Sequence, residues 1–244
     1  MWSTESVETG TKQLALVGYG KMGRLIEQLA PEYGFRIAAR LSAENNPSGA
    51  AISQKTFSGI DVAIEFSTPE TVVNNLKSLA EAKIQTVTGT TGWSEHLTEV
   101  SRIVMEAGTG LVWSPNFSVG VAVFRKLVGL AAELFRDENE YGAWAWEIHH
   151  DTKVDAPSGT LAHLVETMRR RGYSRKIDIT ASRAGKHPGT HEIGFDSIAD
   201  TITLRHVARN REGFARGALK AAKWILDRKG VYTFEDVLFG TART

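Results

Sequence analysis

One stretch near the amino terminus restricts the possible folds of this chain more than any other. The run Leu14–Val17 is continuously apolar, as is typical of a strand buried on both faces of a parallel sheet. It leads directly into the segment Gly18-Tyr19-Gly20-Lys21-Met22-Gly23, and apolar residues then recur at helical spacing. A strand, a tight glycine turn and a helix are the context in which G-x-G-x-x-G binds a dinucleotide pyrophosphate. The stretch therefore predicts a dinucleotide-binding α/β domain; the alternative is a glycine-rich turn without a ligand.

The next part of the chain repeats strands and helices. The predicted strands are Phe35–Ala39, Ile60–Ser67, Ile84–Thr88 and Leu111–Trp113, and a helix with proline at an early position is expected to open at Thr68-Pro69-Glu70. Small and polar loops follow the last two strands: Gly89, Thr90 and Thr91, then Ser114, Pro115, Asn116 and Phe117. In a doubly wound parallel sheet, ligands lie at the carboxyl ends of the strands. Each loop alone is more often a plain turn, but together they indicate a cofactor crevice.

The end of the second strand bears on the cofactor. About 20 residues past the glycines, a site that prefers NAD usually places an acid on the ribose hydroxyls. Here Arg40 and Ser42 occupy that neighbourhood, and the first acid is Glu44. An arginine without a carboxylate beside it favours the 2′-phosphate of NADPH, so the cofactor is NADPH or NADH with NADPH slightly favoured. The alternative is that Arg40 is a solvated charge at the strand end.

The order of predicted helices and strands changes after residue 117. A long amphipathic helix pattern over Val121–Phe135 precedes a set of strands with few helices between them, which indicates a mixed sheet. These strands are Tyr141–His149, Ile177–Thr180, His191–Phe195 and Thr201–Val207, with a Gly- and Pro-rich stretch from Arg183 to Thr190. A final helix over Arg211–Leu226 is expected to pack on the first domain. The predicted domains are 11–117 with 211–244 for the dinucleotide and 118–210 for substrate and oligomerisation.

A segment in the second domain carries the candidate chemistry. Residues Glu147 to Thr160 contain the adjacent pair His149 and His150, then Lys153, then a Pro-Ser-Gly-Thr turn before a helical pattern. The free N–H groups of a helix start bind carboxylates or phosphates, histidine titrates near neutral pH, and lysine brings a positive charge. The segment predicts an anion pocket with an acid beside it. The alternative is a satisfied histidine pair on a strand before an ordinary capped helix.

Composition excludes several classes of protein. The net charge of +1 argues against a nucleic-acid surface, the absence of cysteine excludes thiolate metal ligation, and no apolar run is long enough for a membrane helix. Met1–Lys12 is polar and is expected to be a frayed lead-in rather than a signal peptide, so the cytosol is the expected compartment. No metal site is expected, because the side chains of His149 and His150 point to opposite faces of a strand.

These motifs resemble those of the 4-hydroxy-tetrahydrodipicolinate reductase (dihydrodipicolinate reductase) family. The most specific is Glu147-x-His149-His150-x-x-Lys153-x-Asp155-Ala156-Pro157-Ser158-Gly159-Thr160, supported by the glycine loop, Gly89-Thr90-Thr91-Gly92, Asn116–Gly120 and Arg183-x-Gly185-x-x-Pro188-Gly189-Thr190-His191. The resemblance covers about residues 13 to 240. It implies a Rossmann-like domain, a substrate domain whose mixed sheet builds a homotetramer, and reduction of a cyclic dicarboxylic imine with NADH or NADPH in lysine synthesis.

The resemblance also implies roles for individual residues. His149 and Lys153 would be the proton-donating pair, and His150, Ser158, Gly159 and Thr160 would hold the substrate carboxylates. Cofactor contacts would come from Gly18–Gly23, Gly89–Thr91 and Ser114–Phe117. Ser42 departs from the pattern, because many members carry the acid there, which leaves cofactor preference open. Two other functions stay open: a related reductase of another cyclic imine or keto acid, and a dinucleotide-binding regulator without catalysis.

Overall fold

The computed structural model describes residues 10–240. The chain divides into two compact units, one formed by residues up to Phe117 together with those from Phe214 onward, the other by Ser118–Gly213. The expected frayed lead-in is too long at its carboxyl end, because Lys12 already begins the first strand. The rest of that expectation, over residues 1–9, lies outside the described residues.

The first unit is built on a six-stranded sheet whose paired strands are all parallel. Its strands are β1 Lys12–Val17, β2 Phe35–Leu41, β3 Val62–Glu65, β4 Gln85–Thr88, β5 Gly110–Trp113 and β10 Gly230–Thr233. They lie in the order β10-β5-β4-β3-β1-β2. Strand β2 therefore lies on one side of β1, and the chain crosses over to place β3 on the other side. This reversal creates a crevice at the carboxyl ends of β1 and β3, where a doubly wound sheet binds its ligand.

The helices of the first unit follow the apolar patterns of the sequence. They are α1 Lys21–Leu29, α2 Val72–Glu81, α3 Leu97–Ala107, α6 Glu212–Ile225 and α7 Phe234–Phe239. Helix α6 shares a core cluster with Leu14 and Leu16 of β1, as expected for a returning carboxyl-terminal helix. The expectation that Pro69 stands early in a helix was wrong. The carbonyl of Thr68 accepts from the N–H groups of Thr71 and Val72, which forms a turn before α2 begins.

The second unit is built on a four-stranded mixed sheet in the order β7-β6-β8-β9. Its elements are α4 Val119–Leu134, β6 Gly142–His149, α5 Gly159–Arg170, β7 Ile177–Arg183, β8 Thr190–Asp196 and β9 Thr201–Val207. Strand β6 runs parallel to β7 and antiparallel to β8. Along β6, burial alternates: Ala143, Ala145, Glu147 and His149 are buried, and the residues between them are less so. The two histidine-bearing ends of β6 and β8 therefore lie on the covered face.

Strand β7 is longer than expected. It continues to Arg183, which the sequence placed at the start of a loop, because Arg183 pairs in register with His149 of β6. Beyond the strand, the N–H of Ala184 still donates to the carbonyl of His149 at 2.9 Å. The β7 side thereby holds β6 up to its last residue. Within residues 10–240, no helix has the length and apolar character needed to cross a membrane.

Candidate active site and cofactor loop

The glycine loop after β1 requires glycine at two of its positions for packing. Gly18 has a φ of +96°, and a Cβ there would lie 2.0 Å from the carbonyl oxygen of Phe66. A Cβ on Gly23 would lie 2.6 Å from the carbonyl oxygen of Gly18. Gly20 differs, because no heavy atom of the described residues would come within 4 Å of its Cβ. Two glycines thus close the turn, and the third leaves open space where a pyrophosphate can approach the backbone.

The start of α1 is suited to bind phosphate. The N–H groups of Gly18 and Tyr19 both donate to the carbonyl of Leu41, at 2.8 and 2.9 Å, and tie the loop to β2. The helix then begins at Lys21, and no side chain of the described residues caps it at Gly20. Its first N–H groups, those of Lys21 and Met22 among them, can therefore be offered to an anion. These residues fit the dinucleotide that the sequence predicts.

The loops after β3 and β4 meet around Phe66, a residue that sequence reasoning did not single out. A Cβ on Gly89 would lie 2.1 Å from the ring of Phe66, so glycine is required there for packing. The hydroxyl of Thr90 accepts from the N–H of Ser67 at 2.9 Å, whereas Thr91 is exposed. Phe66 and Ser67 therefore join the predicted loops at one edge of the sheet.

The loop after β5 divides into exposed and buried parts. Pro115 is exposed and Asn116 is half-buried, while the hydroxyl of buried Ser114 donates to the carbonyl of Asn116 at 2.8 Å. Phe117 lies in the core, with its ring centroid 4.9 Å from that of Phe234. The side chain of Phe117 thus supports the loop from beneath.

Glu65 is a second residue that sequence reasoning missed. It ends β3, is fully buried, and accepts hydrogen bonds from the N–H and hydroxyl of Ser67 and, at 2.6 Å, from the hydroxyl of Thr88. The amide of Asn75 donates at 3.5 Å. A buried carboxylate costs free energy unless such donors surround it. This cluster fixes the geometry of the crevice edge.

Arg40 makes an ion pair that the sequence did not predict. Its guanidinium donates to the carboxylate of Glu27 on α1, with Nε 2.9 Å from Oε1, and the hydroxyl of Tyr19 donates to the same carboxylate. These hydrogen bonds raise the pKa of Arg40 and lower that of Glu27. Ser42 is held nearby, since its N–H donates to the side chain of Asn45 at 2.7 Å. A 2′-phosphate at Arg40 would have to share the guanidinium with Glu27.

In the second unit, the segment after β6 is held by Arg183. Its guanidinium donates to Oε1 of Glu147 at 2.9 Å and to the carbonyl oxygens of Lys153 and Asp155. The N–H of Asp151 also donates to the carbonyl of Gly185 at 3.1 Å. One side chain on β7 thereby fixes the segment that bears the predicted site. Arg183 is a functional candidate whose signal in the sequence was its place in the family pattern.

His149 lies buried at the end of β6, where one carboxylate and two cationic side chains act on its charge. Its Nδ1 is 3.6 Å from Oε2 of Glu147, and Gly189 packs against Nε2 so closely that a Cβ there would lie 2.9 Å away. Burial lowers the pKa of His149 most, the carboxylate of Glu147 raises it, and Lys153 and Arg183 lower it again. The pKa lies below its ordinary value, so the free histidine is mainly neutral at pH 7.

Lys153 and the start of α5 form the cationic part of the site. The Nζ of Lys153 is 2.6 Å from Oδ1 of Asp155, and this hydrogen bond lowers the pKa of the carboxyl group. At Gly159 no described atom would come within 4 Å of an added Cβ, and Thr160 is half-buried. Lys153 and the α5 start can thus face a carboxylate. His150 is half-buried, and its Nδ1 lies 2.7 Å from the hydroxyl of Thr152.

Ser158, which the resemblance places among the substrate-binding residues, makes several hydrogen bonds inside the protein. Ser158 is buried and caps α5, since its hydroxyl accepts from the N–H of Leu161 at 3.2 Å. The same hydroxyl donates to Glu147, and the backbone N–H donates to Oε1 of Glu147 at 2.8 Å. With its hydrogen-bonding capacity used inside the protein, Ser158 is better placed to hold the helix start than to touch a substrate.

Metal-ligand chemistry is present in one cluster of the second unit. Glu147, His149 and His191 offer ligand atoms that lie within 4.8 Å of one another. His191 was not among the predicted site residues, and the neighbouring strand β8 brings it opposite Glu147. However, Arg183 and Ser158 already donate to the carboxylate. A cation would stand beside a guanidinium, so the arrangement favours hydrogen bonding over metal binding.

Comparisons with protein families cover almost the whole described chain. Residues 12–117 match the family model described as "Dihydrodipicolinate reductase, N-terminus". Residues 120–238 match the model described as "Dihydrodipicolinate reductase, C-terminus". The two matches meet close to Phe117 and Ser118, where the compact units divide.

Similar proteins carry one name. A protein of Christiangramia forsetii named 4-hydroxy-tetrahydrodipicolinate reductase is 34% identical over 238 residues, which is 92% of this chain and 97% of the relative. A protein of the same name from Staphylococcus carnosus is 33% identical over 247 residues, 92% of this chain and 99% of the relative. Both relatives match along nearly their full length.

Solved structures support the fold. A dipicolinate-bound dihydrodipicolinate reductase from Paenisporosarcina sp. TG-14 superposes with a TM-score of 0.77 at 22% identity, covering 91% of this chain and 97% of that one. An amine dehydrogenase from Mycobacterium smegmatis superposes with a TM-score of 0.63 at 8% identity, covering 93% and 96%. At these identities the likeness concerns the fold alone.

Proposed function

The chain belongs to the dihydrodipicolinate reductase family, and we propose that His149 and Lys153 perform the proton chemistry of its reaction. The enzyme is an NAD(P)H-dependent oxidoreductase that reduces 4-hydroxy-tetrahydrodipicolinate, a cyclic dicarboxylic imine, to tetrahydrodipicolinate in the diaminopimelate route of lysine biosynthesis. The hydroxyl group of this substrate leaves as water, which gives dihydrodipicolinate, the conjugated imine that accepts the hydride. One observation carries the proposal for the site: a buried histidine, a lysine and the start of α5 are fixed together by Glu147 and Arg183.

The first unit would hold the cofactor through its glycine loop. Gly18 and Gly23 keep the turn closed, and Gly20 with the first N–H groups of α1 would face the pyrophosphate. Residues Gly89–Thr91 and Ser114–Asn116 would line the crevice, supported by Phe66 and Glu65. When bound, NAD(P)H supplies the hydride of the reduction.

The second unit would supply the proton. Reduction of a conjugated imine leaves negative charge that a positioned acid must neutralise, and such an acid contributes about 10²–10⁴-fold. His149 is largely neutral in the free protein, but a substrate with two carboxylates favours its charged form. His149 would then donate its proton, with Lys153 beside it as charge partner and second donor.

The substrate carboxylates would bind to cationic and N–H donors. Lys153 would exchange its partner Asp155 for a carboxylate, and the N–H groups of Gly159 and Thr160 at the start of α5 would hold the same anion. His150 would contribute from the other side of the segment. Ser158 would act through the helix start that it caps, because its own hydroxyl is occupied.

The cofactor preference is proposed to be modest. Arg40 can bond a 2′-phosphate, and Ser42 offers no carboxylate to repel it, which favours NADPH. Glu27 opposes this preference, because its carboxylate already binds Arg40 and would lie near the phosphate. We therefore expect only a several-fold advantage of NADPH over NADH.

The assembly is proposed to be a homotetramer formed through the mixed sheet of the second unit. Apolar residues at the sheet, Ile179 and Ile202 among them, are about half exposed, and edge and face groups of a sheet favour pairing with another copy. Sedimentation of the purified protein should show a tetramer at micromolar concentration. A stable and active monomer would contradict this proposal.

A steady-state assay with freshly generated substrate and each cofactor tests the function directly. The wild-type protein should oxidise NADPH and NADH only when the imine is present. Lys153→Ala should raise KM by about 10-fold or more, as expected for the loss of a charged hydrogen bond, and should also lower kcat. Lys176→Ala is the matched control, because Lys176 lies in the same unit and pairs only with exposed Asp178 in the described structure. Equal kinetics of Lys153→Ala and the control would remove Lys153 from the mechanism.

A further inference from the structure

The carboxylate of Glu147 has partners on several elements of the second unit. It is fully buried on β6, yet it accepts from three donors on two other elements: Arg183 on β7, and the N–H and hydroxyl of Ser158 at the start of α5. Its Oε2 also lies 3.5 Å from Nε2 of His191 on β8 and 3.6 Å from Nδ1 of His149. A buried carboxylate with this many partners joins four elements at one point.

The hydrogen bonds of Ser158 determine the state of His191. The serine hydroxyl has one proton, which it gives to the carboxylate of Glu147, and two lone pairs. One lone pair accepts from the N–H of Leu161, and the other accepts from Nε2 of His191 at 3.3 Å. His191 therefore carries its proton on Nε2, and its buried Nδ1 has no hydrogen-bond partner within the described chain. Burial, His149 and other neighbours lower the pKa of His191 to about 4, which keeps the ring neutral.

These groups enclose the ring of His149. The ring centroids of His149 and His191 are 5.1 Å apart, with planes at 69°, and Gly189 packs against the Nε2 edge. Nδ1 of His149 is buried and has no hydrogen-bond partner among the described residues, and Oε2 of Glu147 lies 3.6 Å away from it. When His149 is protonated, both nitrogens carry a proton, and Nδ1–H then points its charge at Glu147. Because Gly189 has no side chain, the Nε2 edge of the ring keeps the space that a Cβ would fill, and this nitrogen is the one that would face the substrate.

We propose that Glu147 is the positioning residue for His149: its buried carboxylate orients the ring through Nδ1 and stabilises the protonated form, while His191 and Ser158 hold that carboxylate in place. The proposal rests on the proposed role of His149 as the acid. Glu147 touches neither substrate nor cofactor in this scheme and acts through the histidine. Carboxylates that orient histidines in this way are a recurring feature of acid–base sites.

The charges around His149 decide the direction of the expected effect. Glu147 on β6 favours the protonated ring, as does Asp155 more weakly, whereas Lys153 and Arg183 oppose it. His191 is neutral, and on β9 His206, whose pKa is also lowered by burial, lies opposite His191. Without the charge of Glu147, the main group that raises the pKa of His149 is lost, while Lys153 and Arg183 still lower it. The pKa of His149 should therefore fall.

The test is the pH dependence of kcat in Glu147→Gln. Activity needs protonated His149, so kcat falls as pH rises through the pKa of that histidine in the substrate complex. In Glu147→Gln this fall should shift to lower pH, and kcat at pH 7.5 should drop about 10–100-fold, as for other residues that orient a histidine, with a smaller change in KM. A uniform loss at all pH values, without a shift, would indicate a structural role only and would overturn the proposal.

A second pair of variants keeps the test valid if Glu147→Gln does not fold. In His191→Gln the glutamine can still donate to Ser158 from its terminal nitrogen, so kcat should stay within a few-fold of the wild-type value. His191→Leu removes the donor, so its pH profile should shift in the same direction as that of Glu147→Gln. Glu192→Gln is the control, since Glu192 is the neighbour of His191 along β8 and pairs with Arg205. Equal pH profiles for His191→Gln and His191→Leu would overturn the proposal.

Failure of the inference can be told from failure of the proposed function. If His149→Gln has lost activity while Glu147→Gln and His191→Leu keep the wild-type pH profile, the positioning role of Glu147 is wrong and the role of His149 as the acid is kept. If His149→Gln is as active as the wild type, the acid itself is wrong, and with it the role of Glu147.

Discussion

Among the described residues, each unit buries one glutamate near the carboxyl end of a strand, and comparing the two shows how the surroundings change the use of one residue type. Glu65 and Glu147 are both fully buried, and both accept from the N–H and the hydroxyl of a serine farther along the chain. The remaining partners differ. Glu65 meets the neutral side chains of Thr88 and Asn75, whereas Glu147 meets Arg183 and two histidines.

The difference separates a structural use of a buried carboxylate from a chemical one. Neutral donors compensate the desolvation of Glu65 and hold the loops after β3 and β4 together, with no nearby group that gains or loses a proton in the cycle. Around Glu147, the carboxylate and the cations act in opposite directions on the pKa of His149. The first cluster should thus matter for stability, the second for protonation.

The largest expected effect comes from replacing His149, the proposed acid, in the charged cluster. His149→Gln should lower kcat by roughly 10²–10³-fold, because the proton must then come from a less well placed donor. Cofactor affinity should stay nearly unchanged, which a fluorescence titration with NADPH measures. Wild-type turnover in this variant would show that His149 has only a structural role. The clusters around Glu65 and Glu147 would then no longer differ in function.

The neutral cluster should respond in stability. Glu65→Ala leaves the buried hydroxyl of Thr88 and the donors of Ser67 without their acceptor, so the free energy of unfolding should fall by about 2–4 kcal/mol. Urea unfolding measures this loss, with Glu81→Ala on the exposed end of α2 as the control. The pH at which kcat falls should not move. A shift like that of Glu147→Gln would mean that both clusters affect protonation.

Acid should destabilise the protein through His191. Its pKa is about 4 when folded and near 6.5 when unfolded, so the unfolded state binds more protons between these values. The free energy of unfolding therefore falls as pH drops from about 6.5 to about 4, with a loss of about 2 kcal/mol already at pH 5. His191→Gln should reduce the difference between urea unfolding at pH 7.5 and at pH 5 by about this amount. An unchanged difference would show that His191 is not held neutral.

The smallest effect is expected at the exposed rim of the first unit. Arg40→Ala should weaken NADPH several-fold and spare NADH, while Glu27→Gln should increase the preference for NADPH by releasing the guanidinium. Ser42→Asp should shift the preference toward NADH. Arg36→Ala on the same strand is the control, because Arg36 is exposed and bonds Gln13. Equal weakening of both cofactors by Arg40→Ala would contradict its assignment.

Local patterns predicted the elements that carry their own signal. The strand, glycine turn and helix at β1 and α1 were confirmed, as was the mixed sheet of the second unit. Helix α3, strand β10 and helix α7 were not anticipated. β10 has only four residues, all half-buried, and joins the sheet by pairing with β5, more than 100 positions earlier in the chain. Such an element has no periodicity of its own to read.

By itself the sequence determined the dinucleotide loop, the helix start that follows Pro157 and the histidine–lysine segment, because each depends on neighbours within a few positions. Only the tertiary structure decided which groups surround them. Register across β6, β7 and β8 sets His191 opposite Glu147 and Arg183 opposite His149. The fold brings Glu27 of α1 within hydrogen-bonding distance of Arg40 on β2. Charge and burial act through space, so the pKa of His149 and the availability of Arg40 are properties of the fold.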